Sequence, residues 1–394
     1  MATILFTWEL GQGLGHLAKV RRLGDAVERR GHRILVASQN VVTASRAFPA
    51  HWPIYQAVRA PTWTPPPGRS KRIGSFADIL QLGGFGDLDI AVSVINAWNR
   101  LFDDLRPDVL VAESSPTALA AALGRVPSVV AGNGYAMPPS HLSHFPPLTP
   151  AEDWLAPHDE AFAVLNEALE RTGRPTLPWL PRLMQGDLRI CDTYAGLDPY
   201  ADQRIDELYG SLADVLPLAT DVKPGKRLFA YLSTEYPHFD KLITAIAGNG
   251  ERFSLYIGGS PTASVKEHLR KRGAEVYDKP APFAEVLPAA CGVLGHGTMA
   301  TSLDAMTVGR PQILVPFAFE RKMIADHVVK TGAGCILKSL SPGIMRKAIA
   351  NFVDNRQVAT RALQVGADVH RSLRRLSTER CADGVEEVLR NHSG

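Results

Sequence analysis

Cysteine is scarce, with four residues in 394, at positions 191, 291, 335 and 381. With no C-x-x-C pair and no histidine beside them at zinc-ligand spacing, neither a disulfide framework nor a cysteine zinc site organises the fold. They read as buried thiols in a reducing cytoplasm, the expected location of the protein. Long apolar runs are missing as well: the stretch from Val109 to Val130 is broken by Glu113 and Arg125, so no membrane span is expected. No signal peptide is expected either, because the N-terminus has no basic n-region and reaches Glu9 early. Charge of one sign is gathered nowhere. The formal net charge is +3 and the Lys and Arg residues are spread along the chain, which speaks against nucleic acid as a partner.

An apolar fraction of 45% over 394 residues is ample for two hydrophobic cores. Short β-rich runs occur at ATILFTW, HRILVAS, IYQAVR, DVLVAES, PSVVAG and LRICDT, with amphipathic stretches at 16–30, 88–105, 115–124 and 158–171 between them. After PLATDVKPGKR, residues 217–227, the alternation restarts with RLFAYLS, FSLYIGG, AEVYD, GVLGH, PQILVP and GCILK. The pattern predicts an α/β protein of two Rossmann-like domains, each a parallel sheet with crossover helices. Residues 1–218 form the first domain, 219–375 the second, and 376–394 a C-terminal helix able to pack back on the first. A monomer or homodimer is expected.

Two Pro-dense inserts stand out in the first half, APTWTPPPGRSKR at 60–72 and GYAMPPSHLSHFPPLTPAEDW at 134–154. Both follow strand ends on the carboxyl edge of the sheet, where α/β folds hold ligands, and they serve either as substrate loops or as plain connectors. Trp63, His141, His144, Phe145 and Trp154 are candidate walls of an aromatic-lined pocket for a lipid, polyketide or phenolic acceptor, with a sugar or peptide as alternatives.

The stretch WELGQGLGHLAKV, residues 8–20, directly follows the first strand. A dinucleotide site would need a third glycine where His16 stands, and an acid where the second strand ends in ASQN, so the dehydrogenase reading fails. A D-x-D triplet at 87–89 follows LGGFG rather than a strand, and Asp87 reads as a helix N-cap. In the second half, residues 295–334 read GHGTMATSLDAMTVGRPQILVPFAFERKMIADHVVKTGAG. A strand ends at His296, and a loop with Gly297, Thr298, Thr301 and Ser302 opens a helix whose free N–H groups and positive end suit a phosphate. The next strand delivers Glu320, a carboxylate suited to sugar hydroxyls. Together these features point to a nucleotide-sugar site.

The spacing of His296, Thr301, Asp304, Gly309, Pro311, Pro316 and Glu320 resembles the donor motif of the UDP-glycosyltransferase superfamily with the GT-B fold, H-x-G-x-x-[ST]-x-x-[ED], G-x-P, P-x-x-x-[DE]-Q, and in particular its bacterial natural-product glycosyltransferases. The resemblance implies two Rossmann-like domains whose parallel sheets face a central cleft. It implies that His296 and Thr301, with Gly297 and Thr298, meet a diphosphate, that Asp304 holds the ribose, that Glu320 binds the donor sugar, and that Thr234 meets the phosphates from the opposite side. Gly15 and His16 match the family's G-H-x-x-P, with Lys19 in place of the Pro. Arg321 replaces the usual Gln and is a surface residue, a phosphate contact or an ion-pair partner of Glu320; Phe283 stands where a second Gln usually contacts the donor.

Glycosyl transfer needs a base for the acceptor hydroxyl and a stabiliser for the departing diphosphate. His16 at the first strand's carboxyl end is the candidate base, Glu113 at the end of the neighbouring strand its orienting acid, and Gly13 and Gly15 let the loop pass close beneath the acceptor. The expected activity is transfer of a sugar from a UDP- or dTDP-sugar to an acceptor hydroxyl with inversion. The nucleotide sugar is a co-substrate, so no cofactor is expected, and the helix end answers the diphosphate charge without a metal. A nucleotide-sugar epimerase on the same fold and a non-catalytic nucleotide-sugar-binding partner protein are the alternatives.

Overall fold

The structure is a computed structural model that describes residues 1–11, 14–61, 63–64, 73–149, 155–209, 212, 215–220, 224–373 and 378–392. The expected join near residue 222, together with Gly13 and Trp154, lies outside these residues. The chain divides into two compact units, Met1–Thr193 with Asp198–Ala213 and Leu376–Gly394, and Tyr194–Leu197 with Asp214–Arg375.

The first unit holds the strands β1 (Thr3–Trp8), β2 (Arg33–Ser38), β3 (Ile54–Gln56), β4 (Val109–Glu113), β5 (Ser128–Gly132) and β6 (Leu188–Cys191), all parallel, in the order β3-β2-β1-β4-β5-β6. The second holds β7 (Leu228–Ser233), β8 (Phe253–Gly258), β9 (Glu275–Tyr277), β10 (Gly292–Gly295), β11 (Gln312–Leu314) and β12 (Gly334–Ile336), ordered β12-β11-β10-β7-β8-β9. Each is a doubly wound sheet whose strand order reverses beside its first strand, between β1 and β4 in one unit and between β7 and β10 in the other.

The apolar runs follow from burial of both sheet faces. Leu5, Leu35, Leu110 and Ala112 enter one cluster with Trp98, Phe102 and Leu165, whereas the alternate residues Ile4, Phe6, Ile34, Val36, Val109 and Val111 enter another with Leu17, Val20 and Leu23. The helix Thr378–His392 belongs to this second cluster through Cys381, Ala382, Val385, Val388 and Leu389, so the C-terminal segment completes the first unit. Arg30 fastens it, with carboxylates of Glu379 at 3.0 Å, Asp383 at 2.7 Å and Glu386 at 3.1 Å.

Asp87 caps the helix Leu88–Leu105, accepting a hydrogen bond from the Ile90 amide at 3.0 Å. Cys191 and Cys381 are buried, while Cys291 and Cys335 are only half-buried; all four are free thiols. No helix among the described residues is long and apolar enough to cross a membrane.

Candidate functional site

In the first unit the pairing register sets Trp8, the last residue of β1, opposite Glu113, the last of β4. The chain leaves β1 through Glu9, Leu10 and Gly11 into the helix Leu14–Arg29, whose first turn carries His16. His16 Nδ1 lies 2.7 Å from one Glu113 carboxylate oxygen and 2.8 Å from the other, and the imidazole stacks on Trp8 at 5.2 Å between ring centroids. Glu113 is 2% exposed. Burial alone would raise its pKa, but the charge and hydrogen bond of His16, with Lys19 behind them, hold the carboxyl below its usual range. An ionised Glu113 accepts the Nδ1–H, fixing the tautomer that leaves Nε2 as the basic nitrogen.

Gly11 explains part of the glycine loop. Its φ of +89° belongs to the left-handed region, and a Cβ there would stand 2.6 Å from His16 Nε2. Its carbonyl accepts a hydrogen bond from Gln39 Nε2 at 2.6 Å, which ties the loop to the end of β2. Gly15, by contrast, sits in the helix with open space around it.

Sequence reasoning missed two partners of this site. Lys19, one helical turn beyond His16, reaches Asp192 at 2.9 Å, just past the end of β6. Burial pushes Asp192 up to about 6, with Lys19 opposing. The i, i+3 spacing of His16 and Lys19 was the available signal. Glu9 is the other. Far from being a solvated edge residue, it is 3% exposed and caps the helix Pro116–Ala122, accepting from Thr117 N at 3.1 Å, Thr117 Oγ1 at 2.7 Å and Ala118 N at 2.7 Å. Its burial raises its pKa to about 7 despite those hydrogen bonds.

The insert residues separate. Trp63 is half-buried with its indole over Gly86, where a Cβ would meet the ring at 2.5 Å, and His141 and His144 are exposed. Phe145, expected to face an acceptor, is instead fully buried, its ring 5.3 Å from that of Phe76. The insert folds back over the core there, where an aromatic ring gains more by leaving water than by lining a wet pocket.

In the second unit β10 ends at Gly295, and His296 and Gly297 lead to Thr298, which caps the helix Met299–Val308 without a side-chain hydrogen bond. Gly297 has φ +76° and lies against the Arg321 carbonyl, 2.5 Å from where a Cβ would be, so only glycine lets the loop pass the helix Phe319–Lys330. Thr301 is 8% exposed in the first turn, Asp304 half-buried one turn on, and Glu320 opens the following helix. Thr234, just past β7, lies against Gly259. Phe283 is packed edge-on against Phe229 and Tyr231, both at 5.6 Å. The Arg321 guanidinium lies 3.9 Å from the Phe317 ring centre, and its NH1 is buried with no hydrogen-bond partner among the described residues. That makes it no plain surface residue. Burial lowers its pKa, with Glu235 and Glu320 opposing.

His296 is 4% exposed and has both ring nitrogens engaged: Nε2 accepts from the Ser233 amide at 3.1 Å, and Nδ1 faces the Val315 carbonyl at 3.1 Å. The imidazole thus bridges the ends of β7 and β11, on either side of β10. Burial lowers its pKa from 6.5 to about 4, with Arg321 adding to the effect and the Val315 bond opposing. An unfolded chain takes up this proton as pH falls through that window and the folded one does not. The second unit is therefore expected to be fully stabilised by this group above about pH 6.5 and to lose about 2 kcal/mol by about pH 5. Denaturant unfolding of wild type and His296→Gln at both pH values checks this; an equal acid loss in the variant would refute it. All six tryptophans precede residue 180, so far-UV circular dichroism is the probe for this unit.

Comparison with known proteins bears on both sites. Residues 272–373 match the EryCIII-like family, described as the erythromycin biosynthesis protein CIII-like C-terminal domain. An uncharacterised UDP-glucosyltransferase, YojK of Bacillus subtilis strain 168, is 25% identical over 255 residues, 60% of this chain and 60% of its own length. A sterol 3-beta-glucosyltransferase of Eremothecium gossypii is 25% identical over 118 residues, 30% of this chain and 9% of its own. The chain thus spans well under two thirds of either curated relative. Among solved structures, the calicheamicin glycosyltransferase CalG4 matches with TM-score 0.70 and 22% identity over 100% of this chain and 99% of that one. The spinosyn rhamnosyltransferase SpnG with spinosyn aglycone gives 0.65 and 14% over 98% and 100%. SsfS6 of Streptomyces sp. SF2575, complexed with thymidine diphosphate, gives 0.61 and 17% over 98% and 100%. The structural likenesses establish the GT-B fold for the chain, and residues 272–373 in the second unit match the EryCIII-like C-terminal domain.

Proposed function

We propose that this protein transfers a glycosyl group from a nucleoside-diphosphate sugar to a hydroxyl of a small-molecule aglycone, with inversion at the anomeric carbon. The observation that carries the reading is the His16–Glu113 pair, 2.7 Å apart, with His16 in the first turn of the helix that follows β1 and Glu113 at the end of β4, the two strands flanking the sheet's reversal point. His16 Nε2 takes the acceptor O–H proton as that oxygen attacks the anomeric carbon. The bond to the diphosphate oxygen breaks as the new one forms, and the imidazolium is balanced by Glu113.

The departing diphosphate is received at the start of the helix Met299–Val308. Thr298 gives its leading amides no side-chain cap, which fits them to an anion, and in this reading they meet the diphosphate without a metal. Because both His296 nitrogens already have protein partners, that residue shapes the phosphate loop, and Thr301 is the first-turn side chain offered to phosphate. Asp304 and Glu320 meet hydroxyls of the ribose and the sugar. The UDP- and thymidine-diphosphate names among the relatives support a nucleoside diphosphate donor, and the aglycone bound by SpnG supports an aglycone acceptor.

The test is incubation with a panel of UDP- and dTDP-sugars and polyketide or phenolic acceptors, read by mass spectrometry, with the product's anomeric configuration read by NMR. Transfer with inversion is expected; epimerised donor, or binding without turnover, would overturn the reading. In calorimetry with UDP and dTDP, Thr301→Ala should weaken binding by about 1–3 kcal/mol. Unchanged affinity would remove Thr301 from the phosphate site.

A further inference from the structure

The segment after β5 carries a second cluster of titratable side chains, built from residues other than the His16–Glu113 pair and the diphosphate loop. His158, in the helix Leu155–Arg171, is 2% exposed, and among the described residues neither of its ring nitrogens has a hydrogen-bond partner. Two buried polar atoms without partners destabilise a fold unless something outside the chain satisfies them. The ring does not face apolar neighbours alone. His144, from the Pro-rich insert, lies over it with ring centroids 4.5 Å apart, and an Asp159 carboxylate oxygen stands 3.5 Å from its Nδ1.

That distance is long for a hydrogen bond. It does match an edge of a metal tetrahedron: two ligands each about 2.0–2.2 Å from a zinc ion stand about 3.3–3.5 Å apart. One ring nitrogen each from His144 and His158 and one carboxylate oxygen of Asp159 all lie within 4.8 Å of one another. His144 and Asp159 are exposed, so their side chains can close the remaining ångström. His144 Nδ1 also lies 2.9 Å from the Ser143 hydroxyl, the kind of outer partner that orients a metal-bound imidazole through its other nitrogen.

We propose that His144, His158 and Asp159 bind a divalent transition-metal ion of the zinc class, which pins the insert to the helix Leu155–Arg171. The imidazole nitrogens select such an ion over Mg²⁺ or Ca²⁺, which favour all-oxygen shells. Three protein ligands leave a fourth position for water. The ion is a brace for the insert and takes no step in glycosyl transfer.

Titration of the full-length, metal-stripped protein with Zn²⁺ alone tests this, together with Co²⁺ substitution read by visible absorption. One site of micromolar or tighter affinity is expected, with Co²⁺ bands of the intensity given by four- or five-coordination. Saturating Zn²⁺ should raise Tm by about 5 °C. His144→Ala and Asp159→Asn change exposed residues and should fold; each should weaken Zn²⁺ binding at least about tenfold and abolish the Tm rise. His158→Asn should do the same if it folds, and the two exposed variants decide the matter if it does not. Absence of binding at submillimolar Zn²⁺, or equal affinity in His144→Ala and Asp159→Asn, would overturn the site.

Discussion

His16→Ala is expected to lower turnover by roughly 10²- to 10⁴-fold while leaving nucleoside-diphosphate affinity unchanged. The base belongs to the first unit and the diphosphate loop to the second, so loss of the imidazole removes proton transfer while every residue of the diphosphate loop is retained. Glu113→Gln should cost less. Its amide oxygen can still accept the Nδ1–H, but it no longer balances the imidazolium that forms as the acceptor is deprotonated. Steady-state kinetics at saturating donor, paired with calorimetry, separate the two effects. Near-normal turnover in His16→Ala would leave His16 as a helix-start residue and require another base.

Gly11→Ala should be almost as damaging, although Gly11 itself performs no chemistry. The φ of +89° strains any L side chain, by about 1–3 kcal/mol. The new methyl would also stand 2.6 Å from His16 Nε2, so the imidazole must shift away from its seat on Glu113. A misplacement of about 1 Å can cost about 10²-fold in rate, and a loss of that order is expected in kcat, with Tm lowered by only several degrees so that the variant still folds. Gly15→Ala is the control, because the space around Gly15 is open and an alanine there should favour the helix. Equal activity in the two variants would show that the loop does not position His16.

The architecture was readable because both sheets are buried on both faces. Runs such as ILFTW and VLVAE alternate their side chains between two cores and so are apolar on both faces apart from Thr7 and the terminal Glu113, which separates them from the amphipathic helices between them. The short helices Val41–Ala47 and Phe76–Leu80 escaped, being too brief to show a helical period. At the site, His16 and Glu113 could be paired from sequence because strand ends at a sheet's reversal point must converge. Lys19 and Asp192 could not, since their meeting depends on where the first helix lies relative to β6. Phe145 misled because an aromatic residue among prolines looks the same whether its loop stands out in solvent or folds inward. His296 carried the family spacing, but sequence does not show that its two nitrogens already tie Ser233 to Val315.

The helix Thr378–His392 has a bearing on how the chain matures. It supplies Val385, Val388 and Leu389 to the core that Leu17, Val20 and Leu23 begin, yet the ribosome makes it only after residues 214–375. Domains usually complete themselves in the order of synthesis. Here the first unit stays open along one flank until residues 378–392 emerge, while the second can close earlier. A nascent or truncated chain ending before Thr378 would leave that apolar stripe of the first helix in water, a surface for chaperones to hold or for other chains to stick to.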